Sequence, residues 1–327
     1  MSSDAQFLCQ SAFVHVWPEK VIISPGDHLA ISIVKSLVCI SSSLDSHPDC
    51  AQYEQMIITS LMDDYCPRRG LRGEHGLSLH IETDSSKLLF DAGQGDAFIG
   101  NARGLGIDLS SLDAVVLSHG HYDHGGGMKA LFEMFKGDPP PLFVGRGFDA
   151  HRIAIEGGSR NDIGLPRPFL SEQPSPAIEI RTTENVGRGL YILPCAEMVY
   201  ETNIDPRFHR AVGGSEPPDI FEDEVSLVAV EDSGLVIITG CAHRGILNII
   251  EAARLAFPSR PIKAIVGGFH LVGVTDLELA KIALAVKAFD TQAVYCSHCT
   301  GLPGFAALNT ALPGKVSWLS CGTRIDL

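Results

Sequence analysis

From Met56 onward, short apolar runs alternate with polar stretches punctuated by glycine and proline. Runs of this length, bounded by turn residues, predict buried strands. They fall at Met56–Met62, Leu77–Glu82, Lys87–Phe90, Asp113–Ser118, Leu142–Gly145, Val225–Val230, Gly234–Thr239, Ile262–Val266 and Gln292–Cys296. The second and third form a hairpin. Helical periodicity lies between them. Ile246, Ile249, Ile250 and Ala253 share one face, a helix is expected from about Gly127 to Phe135, and Thr275-Asp276-Leu277-Glu278 is a capping box opening a helix that runs to about Phe289. Alternating strands and helices make this an α/β chain. Two stretches carry neither period. Residues 151 to 174 hold His151, Arg152, Arg160 and Arg167, and Glu201 to Glu222 holds Arg207, His209 and Arg210. Both are expected to be long loops, of the kind that form functional lids.

Residues 1 to 55 contain one apolar run, Leu29 to Ile40, between Ser-rich flanks. They are read as an N-terminal extension that packs poorly or stems from an upstream start assignment, with a genuine accessory segment as the alternative. Residues 56–327 form the folded domain. With 327 residues, 45% hydrophobic and 20% charged, the composition is that of a globular chain. A formal net charge of −14 and the lack of any basic block argue against nucleic acid or an anionic membrane as partner. Neither a signal peptide nor an apolar run near the roughly 18 residues of a membrane span is present. The nine cysteines are odd in number and irregular in spacing, which points to a reducing, cytoplasmic home. Cys296 and Cys299 form a C-x-x-C without the second pair of a structural zinc site, so they are assigned a structural role, with redox or ligand involvement as the alternative.

The chemistry concentrates after Ala114-Val115-Val116-Leu117, where LSHGHYDHGGG packs His119, His121, Asp123 and His124 together. Imidazole and carboxylate both suit zinc, iron or manganese, and residues two apart in an extended segment point to one side. His119 and His121 therefore grip one ion, and Asp123 and His124 are offered to a second. Three further strands end in small-residue turns that carry a histidine: His243 after Gly240-Cys241, His270 after Gly267-Gly268, and His298 after Cys296-Ser297. Open α/β sheets place ligands outside the carboxyl ends of their strands, so these turns join the site. His243 and His270 are expected ligands, with His298 and Cys241 as additional candidates. Asp91, at the end of the Lys87–Phe90 strand, either ligates or braces the loop by hydrogen bonds. Arg160, Arg167 and Arg207 are candidates for holding a substrate phosphate or carboxylate.

His-x-His-x-Asp-His after an apolar strand resembles the signature of the metallo-β-lactamase superfamily. Within it, EHGLSLHIE, LLFDAGQGD, GCAHRGILNI, GGFHL and HCTG resemble the class II metal-dependent hydrolases and the 7,8-dihydropterin-6-methyl-4-(β-D-ribofuranosyl)aminobenzene-5'-phosphate synthase family, which is dihydropteroate-synthase-like. The resemblance implies a four-layer αββα sandwich of two facing mixed sheets with outer helices and a binuclear metal site. Most superfamily members end one strand with Gly-Asp, whose carboxylate bridges both metals, where this chain has Gly240-Cys241. Either Cys241 ligates, His243 takes part of that duty, or the second ion is weakly held. The superfamily's His-Thr-x-Gly turn has no clear counterpart, and His209 is its weak candidate.

The implied cofactor is two divalent ions, zinc first and iron or manganese as alternatives, with Asp123 and His243 as catalytic residues. A metal-activated hydroxide acting on a small substrate, phosphorylated or not, makes the chain a hydrolase. The alternatives are a transferase joining a pterin methyl group to a ribofuranosylaminobenzene phosphate, and a metal-binding ligand sensor without turnover. A small molecule and a second copy of the chain, as a homodimer, are the expected partners.

Overall fold

The computed structural model describes residues 55–167, 169, 176–202 and 204–327. The extension expected over residues 1 to 55 thus lies outside the described residues, apart from Gln55. In chain order the first elements are β1 (Met56–Met62), β2 (Ser78–Thr83), β3 (Lys87–Phe90), α1 (Ala97–Gly104), β4 (Ala114–Leu117), α2 (Tyr122–Gly125), α3 (Met128–Phe132) and β5 (Leu142–Gly145). There follow β6 (Arg152–Glu156), β7 (Ser159–Asp162), β8 (Ile178–Ile180), β9 (Glu184–Gly187), β10 (Leu190–Leu193), β11 (Phe208–Arg210), β12 (Ser226–Glu231) and β13 (Gly234–Thr239). The remainder is α4 (Ile246–Ala256), β14 (Ile262–Gly267), α5 (Asp276–Ala288), β15 (Ala293–Cys296), α6 (Gly301–Ala311), β16 (Val316–Trp318) and β17 (Arg324–Asp326).

These strands build two seven-stranded mixed sheets, ordered β17-β1-β2-β3-β4-β5-β8 and β16-β15-β14-β13-β12-β10-β9. Alternation along each strand decides what lies between and outside them. In β4, Ala114 and Val116 join the core between the sheets, while Val115 and Leu117 face a separate cluster with Phe98 of α1 and Met128 and Leu131 of α3. In β13, Val236 and Ile238 point inward, while Leu235 and Ile237 pack with Ile246, Ile249, Ile250 and Ala253 of α4 and Leu279 and Ala283 of α5. Both sheets are therefore buried on two faces, which is why their central strands read as continuous apolar runs. The result is the expected αββα layering. The capping box is also present, with Thr275 Oγ1 accepting the Glu278 N–H and lying 2.7 Å from Glu278 Oε2.

Three expectations need correction. The helix expected from Gly127 to Phe135 is shorter, α3 spanning only Met128–Phe132, and a separate short helix, α2, precedes it within the histidine loop; Gly126 and Gly127 between them pass close to the Gln94, Ala92 and Gly95 carbonyls. The stretch from His151 is not all loop, since β6 and β7 form a hairpin in which Glu156 pairs with Ser159 across Gly157-Gly158. Both glycines have positive φ, +56° and +84°, as a type I′ turn requires. The stretch from Glu201 contributes β11, which pairs with β6 to complete a third, three-stranded sheet.

The inter-sheet core carries much of the stability. Ile238→Ala, at a fully buried position between the sheets, is expected to lower unfolding stability by about 2–5 kcal/mol in denaturant titration, with the far-ultraviolet circular dichroism of the native state unchanged.

Candidate metal centre

β3 pairs with β4, β13 with β14, and β14 with β15, all in parallel, so within each sheet these strands end on one side. The turns that follow carry the chemistry, and they are strained. Asp91, Ala242, His270 and His298 all have positive φ, between 47° and 61°. Such conformations cost about 1–3 kcal/mol each in a residue with a side chain, and they cluster where surrounding structure holds a functional geometry. The two sheets meet closely at these ends. A Cβ on Gly240 would stand 2.1 Å from Ser118 Oγ, so only glycine admits the contact.

Asp91 is the bracing residue. Its fully buried carboxylate accepts hydrogen bonds from Ser118 N at 2.7 Å and Ser118 Oγ at 2.7 Å, and His124 Nδ1 lies 2.6 Å away. A carboxylate only accepts, so His124 carries its proton on Nδ1 and presents a bare Nε2. The Ser118 hydroxyl has given its proton to Asp91 and so accepts from His119 Nδ1 at 2.9 Å, which leaves the His119 Nε2 bare as well. Asp91 thus orients two donors and has both oxygens engaged by the protein. The bracing alternative describes its position, and ligation does not.

His298 is set the same way from another element. Its backbone N–H reaches Asp63 Oδ1 at 2.7 Å, its Nδ1 lies 2.6 Å from Asp64 Oδ1, and its Nε2 lies 3.3 Å from Asp123 Oδ2. Asp63 and Asp64 follow β1 and had carried no signal in the sequence beyond their charge. His75 completes this edge, with Nδ1 2.9 Å from Asp64 Oδ2 and Nε2 3.3 Å from Asp123 Oδ2. Its phrase, Glu74-His75-Gly76, was noticed only as part of a family resemblance.

Two of the resulting donor groups join the histidine loop to Cys241. His119, Cys241 and His243 offer ligand atoms within 4.8 Å of one another, and so do His124, Cys241 and His298. His119 Nε2 stands 3.2 Å from His243 Nε2, and His124 Nε2 stands 3.0 Å from Cys241 Sγ. His121 packs against both His119 and His243, with ring centroids 4.6 and 5.0 Å apart, and its buried Nε2 has no hydrogen-bond partner among the described residues. Bare imidazole nitrogens converging in a buried space, one of them orphaned, fit a cation better than they fit one another.

The charges agree with that reading. Burial, reinforced by the neighbouring histidines, holds His119 and His243 well below the usual imidazole range; burial does the same for His121. All three are neutral and ready to donate lone pairs. Burial alone would raise the Asp123 carboxyl, but His124 and His298 beside it hold it well below the usual carboxylate range. For His298, burial is outweighed by Asp123 and Asp64, which push its pKa well above the ordinary value.

The loop between His119 and His121 is gripped from outside. Gly120 donates its N–H to Asp223 Oδ2 at 2.7 Å, and its carbonyl lies 3.4 Å from Arg152 Nη1. Arg152 is completely buried on β6 and also pairs with Asp219 at 2.8 Å and Asp223 at 2.6 Å. A Cβ on Gly120 would stand 1.9 Å from the Phe148 carbonyl oxygen, so this grip demands glycine. Arg152 was expected in a rim loop; it is instead the tie between the three-stranded sheet and the histidine pair.

The other expected site residues are placed as follows. His270 belongs to neither of those two donor groups but to another, with Cys241 and Cys299, and its ring is 4.4 Å from that of His243. His209 Nδ1 lies 2.9 Å from the Glu216 carbonyl oxygen, while its neighbour Phe208 turns its ring toward His121, His243 and His270. Arg160 pairs with Glu216, and Arg207 pairs with Asp205 and Glu156. Arg167 is exposed. No helix among the described residues is long and apolar enough to cross a membrane.

Comparison with known proteins gives a matching family and several relatives. A profile of the metallo-beta-lactamase superfamily matches residues 71–137. The uncharacterized protein MJ0448 of Methanocaldococcus jannaschii is 31% identical over 242 residues, 72% of this chain and 88% of its own. The 7,8-dihydropterin-6-methyl-4-(beta-D-ribofuranosyl)-aminobenzene-5'-phosphate synthase of the same organism is 25% identical over 258 residues, 75% of this chain and 87% of its own. Among solved structures, Tm1679, a metal-dependent hydrolase of the beta-lactamase superfamily, is 32% identical with a TM-score of 0.72, covering 83% of this chain and 99% of its own.

The grip on Gly120 gives a direct expectation. Arg152→Ala leaves Asp219 and Asp223 as uncompensated buried carboxylates, and should destabilise the fold by about 3–5 kcal/mol in denaturant titration.

Proposed function

The chain belongs to the metallo-β-lactamase superfamily, and from that membership and its donor cluster we propose that it is a metal-dependent hydrolase with a paired zinc centre. His119, His121 and His243 would hold one ion and Asp123, His124 and His298 the other, with the Cys241 sulfur within reach of both groups. The observation that carries this reading is that Cys241 belongs to both donor groups, where a bridging carboxylate would otherwise be needed. Imidazole and thiolate together favour zinc over manganese, and the thiolate makes an oxygen-seeking ion a poor occupant.

Bound divalent ions supply Lewis acidity and bring the pKa of a water toward neutrality. The chain supplies orientation and proton handling. Asp91 and Ser118 fix the tautomers of His124 and His119, and Asp64 fixes that of His298. His75, with about half its side chain exposed, is the group through which a proton passes between Asp123 and solvent, because its two nitrogens face Asp64 and Asp123. Phe208, whose ring faces His121, His243 and His270, gives the site an apolar wall, and Arg207, beside that ring and tied to Asp205, would be the arginine to meet an anionic substrate group.

A second reading, transfer of a pterin methyl group to a ribofuranosylaminobenzene phosphate, is favoured by one observation: the match to the methanogen synthase extends over 87% of that protein. Both readings use the same donors and differ in whether water is the nucleophile.

Elemental analysis and turnover test the proposal together. Wild-type protein reloaded with zinc should carry about two ions per chain and hydrolyse members of a panel of phosphoesters and lactones, whereas His121→Ala should lose about one ion and the activity with the fold retained. Formation of the pterin–arylamine product without any hydrolysis would select the second reading, and full metal content in His121→Ala would overturn the ligand assignment. Metal uptake should also release protons. His298 is held protonated at neutral pH by Asp123 and Asp64, so an ion must displace that proton and binding should tighten as pH rises. Calorimetric titration of zinc in buffers of different ionisation enthalpy measures the release, and buffer-independent heats would contradict it.

A further inference from the structure

Cys299 was assigned a structural role, and His270 falls outside the paired centre. Yet both stand on the far side of Cys241 in one buried group. Cys241 Sγ, a ring nitrogen of His270 and Cys299 Sγ lie within 4.8 Å of one another, in a mix of two thiols and an imidazole that is a common zinc donor set. The Cys299 sulfur already acts as an acceptor, taking the His270 backbone N–H at 3.2 Å. The independent sign of a ligand is His270 itself. Both of its ring nitrogens are buried without a hydrogen-bond partner, and the nearest carboxylate oxygen, Asp205 Oδ2, is 3.7 Å from Nε2. Its backbone is held at φ 47°, a conformation that costs energy in a residue with a Cβ.

We propose that Cys241, His270 and Cys299 form a third cation position, selective for a thiophilic divalent ion such as zinc or cadmium. It goes beyond the paired centre while drawing on the same thiolate. Cys241 Sγ is within reach of both, so an ion held by Cys299 and His270 competes for the sulfur that lies between the paired ions. Loading the third position therefore withdraws the bridge and loosens the pair. Because the extra donors are sulfur and nitrogen, the position discriminates against magnesium and calcium.

The test is a cadmium titration of reduced, metal-free, full-length protein, following thiolate-to-metal charge-transfer absorbance and bound metal per chain. The wild type should show two phases. Cys299→Ser should retain the first, lose the second, and drop about half of the total charge-transfer amplitude, as expected for one thiolate in place of two. His270→Ala, at a rim position whose side chain is 20% exposed, should lose the second phase and gives an answer even if the serine variant folds poorly. His121→Ala separates this proposal from the paired centre, since it should weaken the first phase and leave the Cys299-dependent phase in place. Equal stoichiometry and absorbance in wild type, Cys299→Ser and His270→Ala would overturn the third position. So would loss of the Cys299-dependent phase in His121→Ala.

Discussion

A single buried carboxylate holds the site in order. Asp91 ends β3, receives the Ser118 backbone and hydroxyl from the end of β4, and receives His124 from the first turn of α2. Three segments are thereby fixed relative to one another at the edge where the two sheets meet. The tautomers of His119 and His124 follow from it, and with them the direction of two bare nitrogens. Without that acceptor, Ser118 and His124 would each present a buried donor with nothing to bond, at a cost of about 1–3 kcal/mol for each unsatisfied group. The same device recurs with Asp63 and Asp64, which hold the His298 turn from β1.

Much of the fold could be read from the chain because its sheets are buried on both faces. Runs such as Ala114–Leu117 and Gly234–Thr239 need no alternation to be recognised, and their ends predicted where the histidines would gather. The loop from His119 to His124 was legible through spacing alone. His243 and His298 were legible through position, as histidines in small-residue turns after strands. Cys241 was flagged by what it replaces, and the structure gives it the place between the two donor groups.

What escaped the sequence depends on partners far away in it. Asp64 and His298 are 234 residues apart, and Arg152 and Asp219 are 67 apart. No local period announces such pairs, and Arg152 looked like any rim arginine in a polar stretch. The Gly157-Gly158 hairpin did leave a signal, two glycines between short segments of strand length, but the charged residues of β7 masked it. His270 groups with Cys241 and Cys299 rather than with the histidines of the loop. Its turn matches those of His243 and His298 in sequence, and only the packing of Cys299 against Cys241 sets it apart.

Anomalous diffraction at the zinc edge, from crystals of the reloaded protein, tests most directly whether Cys241 stands between two ions. Two peaks are predicted, one among His119, His121 and His243 and one among Asp123, His124 and His298, with the Cys241 sulfur within bonding distance of both. A single peak in these two positions, or a pair whose ions both leave Cys241 unbound, would contradict it.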